Sequence, residues 1–475
     1  MGVIQFLVER PELLAISNAS SLVDFLTFDG RVTPARVSLD KHILQCERAT
    51  AESGQLRILW PRFDHTRQVV HSTSLREQPK PYELELELAR GQLSRLRDQF
   101  YAWHGAGLQS STKLDGLIRE AHRSFRSAAL RTESPETTAG AAIWSMELSA
   151  QAADLLCQHY TAQRIEYRRQ RASRIPVFCG STLSQVPEAE EEYLAAFNAV
   201  QLDTRWCSLE QVSGEYNWDR LDQLVEWAVK NRLFIIGGPL VDMSCDCSPD
   251  WMRHWVSDPV NLQSFAADFV ETVIGRYMGR VRHWEIVAGA NRGGAFPLSE
   301  EQRFNLMHGV LNVAKAVDDT ILASIRIVQP WGEYLSHSSN RLAPIQFFDA
   351  IRRSGVRIGE INLDIRVSSE PQRTLFRDPL SLSQLIDHWS CFSLPINLMV
   401  TVPDIQAPSE STAEERRDAW LRTVFQMCLS KERVTGLYVS GWHPGDFSKP
   451  ALLNSAGNPS RHLQLLQNLS KDFLS

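Results

Sequence analysis

The chain has 475 residues, with 50 lysines and arginines against 56 aspartates and glutamates, a net charge of −6, and 43% apolar residues. That balance excludes disordered and fibrous classes, and a pI near 6.1 gives no cationic field for a polyphosphate backbone, so no nucleic acid partner is expected. No run reaches the ~18 to 20 apolar residues of a membrane span, so no membrane partner is expected; Met1 to Leu14 lacks the basic head and apolar stretch of a secretory signal, which points to the cytoplasm.

The first segment, 1–105, reads as a β-rich accessory module. Short β runs fall at Gly2 to Val8, Leu26 to Val32, Ala35 to Leu39 and Gln55 to Trp60, and a further one at Tyr82 to Leu88, where Glu and Leu alternate with period two. Residues 106–175 read as a helical hairpin or linker. Leu114, Leu117, Ile118, Ala121, Phe125 and Ala128 share one helical face, and a second helix runs from about Thr138 to Arg171. Its basic end, Arg164, Arg168, Arg169, Arg171 and Arg174, is expected to complement the helix dipole and keep an exposed face solvated.

From 176 to 475 the pattern becomes a regular alternation. Apolar runs recur at Val177 to Gly180, Phe197 to Leu202, Leu233 to Gly238, Val281 to Val287, Ile321 to Val328, Ile358 to Val367, Ile396 to Val402 and Val434 to Ser440, with stretches of helical length between them. Eight β/α repeats predict a (β/α)8 barrel, with a doubly wound open sheet as the alternative. The eight cysteines are scattered among apolar runs, as reduced buried thiols are. Cys245-Asp246-Cys247, near Asp242, is the one cluster, and no further Cys or His pair follows to complete a metal site. Neither metal nor cofactor is expected.

In such a barrel the ligand sits at the C-terminal ends of the strands. Those ends carry Trp206, Trp284, Asn291, Arg292, Gln329, Trp331, Asp364, Arg366 and Trp442, a mixture of rings, amides and charges that suits sugar faces and hydroxyls. Core packing is an equally good reading of each ring, and a turn of Asn291-Arg292. His443, beside Trp442, is a further mouth residue.

The barrel resembles glycoside hydrolase family 10, the xylanase type. The resemblance rests on Trp206-Cys-Ser-Leu-Glu210, Gly214-Glu-Tyr-Asn-Trp-Asp219, Tyr277-Met-Gly-Arg-Val-Arg-His-Trp-Glu285, Gly355-Val-Arg-Ile, Ile361-Asn-Leu and Val400-Thr401 with Asp404-Ile405. It implies a β-linked, xylan-type carbohydrate ligand. The family's acid/base glutamate, however, aligns with Gly289 and its nucleophile with Val402, and neither can protonate a leaving group or form a covalent intermediate. Three readings follow: a sugar-binding barrel without the family's retaining mechanism, an active hydrolase with relocated carboxylates, or a structural barrel without ligand. Glu333, beside a tryptophan, is the fallback acid, Asp404 the fallback nucleophile, and Glu285 a third carboxylate near the mouth. Oligomeric state and the ligand's exact linkage stay open.

Overall fold

The structure is a computed structural model and describes residues 1–15, 23–64, 66–172, 174–245, 247–367, 374–405, 407, 409–443 and 450–474. Seven strands open the chain: β1 (Gly2–Leu7), β2 (Val23–Leu26), β3 (Val32–Asp40), β4 (Ile43–Arg48), β5 (Gly54–Pro61), β6 (Arg67–Leu75) and the two-residue β7 (Tyr82–Glu83), with the short helix α1 (Pro11–Ala15) after β1. They form one curled sheet in the order β6-β5-β2-β3-β4-β1-β7. Alternation along β4, buried at Leu44 and Cys46, turns one face onto a core that includes Phe6, Phe25 and Ile58.

Three helices cover that face: α2 (Leu84–Gly105), α3 (Thr112–Leu130) and α4 (Pro135–Arg171). The period-two run that predicts a strand beginning at Tyr82 is instead the start of α2. Leu84 to Ala89 are all buried, because this first turn is enclosed on every side. Its glutamates are satisfied locally: Glu85 Oε1 accepts from the Glu9 and Arg10 amides at 3.1 and 3.0 Å, and Glu87 pairs with Arg90. Gly91 lets the helix approach closely, since a Cβ there would overlap the His71 carbonyl on β6. Helices α3 and α4 form the expected antiparallel hairpin, each opened by a serine cap, Ser111 and Ser134.

The basic end of α4 corrects the expectation of a solvated face. Arg168 Nη1 donates to the carbonyls of Leu429 and Lys431 at 2.7 and 3.0 Å, and Arg164 pairs with Glu432 at 2.7 Å. Two of the cations thus pin the hairpin onto the barrel. Among the described helices none is long and apolar enough to cross a membrane.

The remaining strands, β8 (Phe178–Leu183), β9 (Ala199–Leu202), β10 (Phe234–Gly237) with its continuation β11 (Val241–Asp242), β12 (His283–Ala288), β13 (Leu322–Val328), β14 (Glu360–Ile365), β15 (Ile396–Thr401) and β16 (Val434–Ser440), are all parallel. Pairing of β8 with β16 and of β10 with β12 closes an eight-stranded (β/α)8 barrel. Around it run α5 (Glu190–Ala196), α6 (Trp206–Leu209), α7 (Asp219–Lys230), α8 (Pro259–Arg276), α9 (Glu300–Val317), α10 (Pro344–Arg353), α11 (Pro379–Trp389), α12 (Glu410–Ser430) and α13 (Arg461–Phe473).

The N-terminal sheet sits on the loops after β13 and β14. Val69 N donates to Phe376 O at 3.0 Å, Arg57 Nη1 to Trp331 O at 3.1 Å, and Ser336 Oγ to Asp24 at 2.9 Å. Arg57 is held for this by Asp24, 2.6 Å from its Nε, and Arg95 on α2 pairs with Asp378 at the start of α11.

Candidate functional site: the barrel mouth

The barrel interior explains which side chains reach the mouth. On the β8 to β10 side Phe178 and Phe234 stack 3.8 Å apart near Ala199 and Ile236, and Thr182 bonds the buried Gln201 at 2.8 Å further along the same strands. On the β12 to β15 side the interior is a polar ladder. Glu285 Oε1 lies 2.8 Å from Arg326 Nη2, and Asn362 Nδ2 donates to Glu285 Oε2 at 2.5 Å and to Ser324 Oγ at 3.1 Å. Asn397 Nδ2 then donates to Asn362 Oδ1 at 3.0 Å, and His283 meets Glu360 at 3.0 Å. Burial pushes the Glu285 carboxyl up, while Arg326 and Asn362 pull it back only in part.

Above this ladder lies a small mouth cavity of about 80 Å³, lined by Thr182, Ser184, Asp203, Arg205, Asp242, Cys245, Cys247, Arg326, Arg366 and Ser440 among others. The carboxylates in and beside it are held by neighbouring groups. Asp203 holds Arg205 Nε at 2.8 Å; Asp364 holds Arg366 Nε at 2.8 and 2.9 Å. Burial would raise Asp364, but the Arg366 guanidinium overrides it and keeps the carboxyl below its ordinary value. Asp242 Oδ1 accepts from the Ser244 amide and hydroxyl at 2.8 and 2.7 Å. Cys245 and Cys247 bring their sulfurs to 2.7 Å at the rim; Asp246 lies outside the described residues. No group of three or more His, Cys, Asp or Glu among the described residues is arranged to hold a metal.

Gly289 lies just past β12 and Val402 just past β15. Gly289 has φ +67°, and a Cβ there would overlap the Ser244 Cβ and lie 2.6 Å from its Oγ. Val402 is buried in the apolar core.

The structure separates the other candidate residues sharply. Trp206 stacks on Phe269 with centroids 4.8 Å apart and donates to Glu210; Trp284 is fully buried and donates to Val281 O at 3.0 Å; Trp442 is packed edge-on against Tyr193 and Phe197. For these three rings, packing replaces the expected stacking on a ligand. Trp331 alone of the four is partly exposed, and it lies beneath the N-terminal sheet, with Arg377 4.7 Å over its ring. Asn291 is a backbone clamp: its amide donates to Val328 O at 2.8 Å and accepts from Val328 N at 3.1 Å. Gln329, φ +49°, is 2% exposed and its amide has no partner among the described residues. Arg292 is half-buried near Asp364, Arg366 and Asp242. His443 follows Trp442 at the end of β16, 6.5 Å from its ring.

The fallback carboxylates do not converge. Glu333 is buried and pairs with Arg377 at 2.7 Å below the N-terminal sheet, Asp404 is exposed beyond Val402, and Glu285 sits inside the ladder. Arg326 escapes attention in the sequence, although an arginine inside Ser324-Ile-Arg-Ile-Val328, at the same period-two parity as Ser324, signals a charge pointing into the barrel.

The closed (β/α)8 barrel carries hydroxyls, carboxylates and guanidinium groups around its mouth. Residues 175–304 match the protein-family model for glycosyl hydrolase family 10. Endo-1,4-beta-xylanase 1 of Gibberella zeae is 23% identical over 257 residues, 51% of this chain and 71% of the relative. Endo-1,4-beta-xylanase 3 of Hypocrea jecorina is 35% identical over 83 residues, 18% of this chain and 23% of the relative. Xylanase 10B from Thermotoga petrophila, solved in complex with xylobiose, aligns with 64% of this chain and 97% of its own at a TM-score of 0.50 and 18% identity. In sequence and in fold, the barrel is similar to the glycosyl hydrolase family 10 xylanases.

Proposed function

We propose that this barrel binds a β-linked oligosaccharide or polysaccharide of the xylan type at its mouth without the retaining mechanism. The observation that carries the reading is Gly289: at φ +67° and against Ser244, the position has no room for an acid side chain. Val402 offers no nucleophile in its place, and the nearby carboxylates Glu285, Asp203 and Asp364 are each tied to an arginine. Asp364, kept below its ordinary value by Arg366, is a poor proton donor, and Glu285, which burial raises, is enclosed in the ladder by Arg326 and Asn362; retaining hydrolysis needs two free carboxyl groups about 5 to 5.5 Å apart across the scissile bond. The same paired charges suit hydroxyl recognition, since a carboxylate accepts from one hydroxyl while its guanidinium neighbour donates to the next. The family match and the xylanase relatives support the ligand class.

Calorimetric titration with xylotetraose tests the reading. Binding with a stoichiometry of at least one, weakened in Arg292→Gln at the mouth and unaccompanied by cleavage, is expected; a chain that binds no xylo-oligosaccharide overturns it.

A further inference from the structure

A larger cavity than the mouth lies outside the barrel. It measures about 250 Å³ and sits where α4 crosses the barrel, between the end of β14, the start of α11 and the exposed side of α12. Two tryptophans reach it, Trp331 and Trp420, both partly exposed. Asp154 and Gln158 enter from α4, and Arg377 from the segment before α11.

Arg377 is the informative residue. Its side chain is 3% exposed and its Nη2 reaches Glu333 Oε1 at 2.7 Å, yet Nε and Nη1 have no partner among the described residues. Donors of a buried guanidinium left unfilled are costly, and a ligand oxygen in the cavity that Arg377 lines would satisfy them. Arg377 also lies over Trp331, so charge and indole adjoin. Opposite in character is Asp154, bonded to Arg62 at 3.1 Å; burial, with Asp378 and Glu147 nearby, raises its carboxyl to about 6. It accepts a hydrogen bond when ionised and donates one when protonated.

We infer that this cavity is a second carbohydrate site, taking one or two neutral pyranose rings, with Trp331 and Trp420 against the ring faces, Arg377 donating to ring or hydroxyl oxygens and Asp154 bonding a hydroxyl. Unfilled donors, a carboxyl able to bond hydroxyls and two exposed indoles in one small pocket are the combination a sugar satisfies: apolar faces for the rings and polar edges for the charges. A purely apolar ligand would leave Arg377 unsatisfied. The site is built partly from α4, which precedes the barrel, so it goes beyond the mouth reading and does not depend on it.

Titration of the full chain with xylobiose, cellobiose and maltose, followed by calorimetry and by ligand-observed NMR, tests the inference with three variants checked for unchanged thermal melting. Trp420→Ala and Asp154→Asn alter the cavity; Arg292→Gln alters the mouth. At least one disaccharide is expected to bind at least tenfold more weakly in both cavity variants and to keep a component indifferent to Arg292→Gln. Binding that survives both cavity variants overturns the second site, and if that binding is lost in Arg292→Gln the mouth reading stands alone. Loss in the cavity variants with no response to Arg292→Gln leaves the second site and removes the mouth reading. No binding of any disaccharide by the parent chain overturns the second site outright.

Discussion

Ser244 occupies the space that a side chain at residue 289 would need. A Cβ on Gly289 would overlap the Ser244 Cβ, and the backbone there is left-handed at φ +67°. Placing a glutamate at this position therefore meets two penalties at once. Gly289→Glu is expected to destabilise the chain by about 1 to 3 kcal/mol from the backbone conformation alone, with overpacking against Ser244 added. Urea denaturation measures the loss, and the variant is expected to show no hydrolysis of aryl β-xylosides. A stable, active Gly289→Glu would mean that the loop after β12 relaxes freely.

The Glu285 and Arg326 pair, 2.8 Å apart inside the barrel, makes a second prediction. Breaking a buried pair strands the remaining charge, so Arg326→Met is expected to cost about 3 to 5 kcal/mol. Replacing both, as Glu285→Leu with Arg326→Met, is expected to recover most of it, because an apolar pair of similar volume carries no desolvation penalty. Chemical denaturation of the two variants distinguishes the cases; equal loss in the single and the double variant would show that Asn362 and Ser324, rather than the ion pair, hold this layer.

The N-terminal part and the barrel are joined across their boundary by a buried charge pair and by a buried arginine bonded to a backbone carbonyl. Arg57 is locked by Asp24 and donates to Trp331 O, while Arg95 pairs with Asp378, whose carboxyl is drawn down to about 2 by Arg95 against the opposing effect of burial. Calorimetric unfolding is expected to show one transition for both parts, and Arg95→Ala to destabilise both together by about 3 to 5 kcal/mol, as for other broken buried pairs. Two separated transitions in the parent chain would contradict this coupling.

His71, on β6, supplies a pH dependence. Burial first, then Arg95, Arg377 and Arg57, hold its imidazole well below 6.5, with Asp378 opposing. The native state therefore resists protonation that the unfolded chain accepts. Below pH 6.5 the unfolded state binds more protons, so stability falls as pH drops, by at most about 1.4 kcal/mol per pH unit for one proton. Denaturation between pH 5 and 7.5 is expected to show this slope, reduced in His71→Asn; an unchanged slope would assign it to another group.

Much of the barrel is legible from the sequence because parallel strands buried on both faces leave continuous apolar runs, and all eight such runs coincide with strands of the barrel. The misread segment is instructive. Leu84 to Leu88 alternates with period two, yet forms helix, because enclosure on all sides erases the polar face that normally betrays a helix. The site is harder to read. Sequence position places Trp206, Trp284 and Trp442 at strand ends, but whether a ring faces the mouth or the helix layer depends on packing partners such as Phe269 and Tyr193 that lie far along the chain. Glu333 likewise reads as a mouth carboxylate until the N-terminal sheet is seen to cover it. Arg377 and Asp154 meet only through the tertiary arrangement of α4 against α11, which no local pattern carries.

The most direct measurement is product analysis after prolonged incubation of the pure chain with xylotetraose and aryl β-xylobioside, beside the Glu333→Gln/Asp404→Asn double variant. The family barrel without its mechanism predicts that the xylotetraose is recovered intact from both proteins and the aryl glycoside uncleaved. Cleavage by the parent chain that disappears in the double variant would contradict it and establish catalysis by relocated carboxylates.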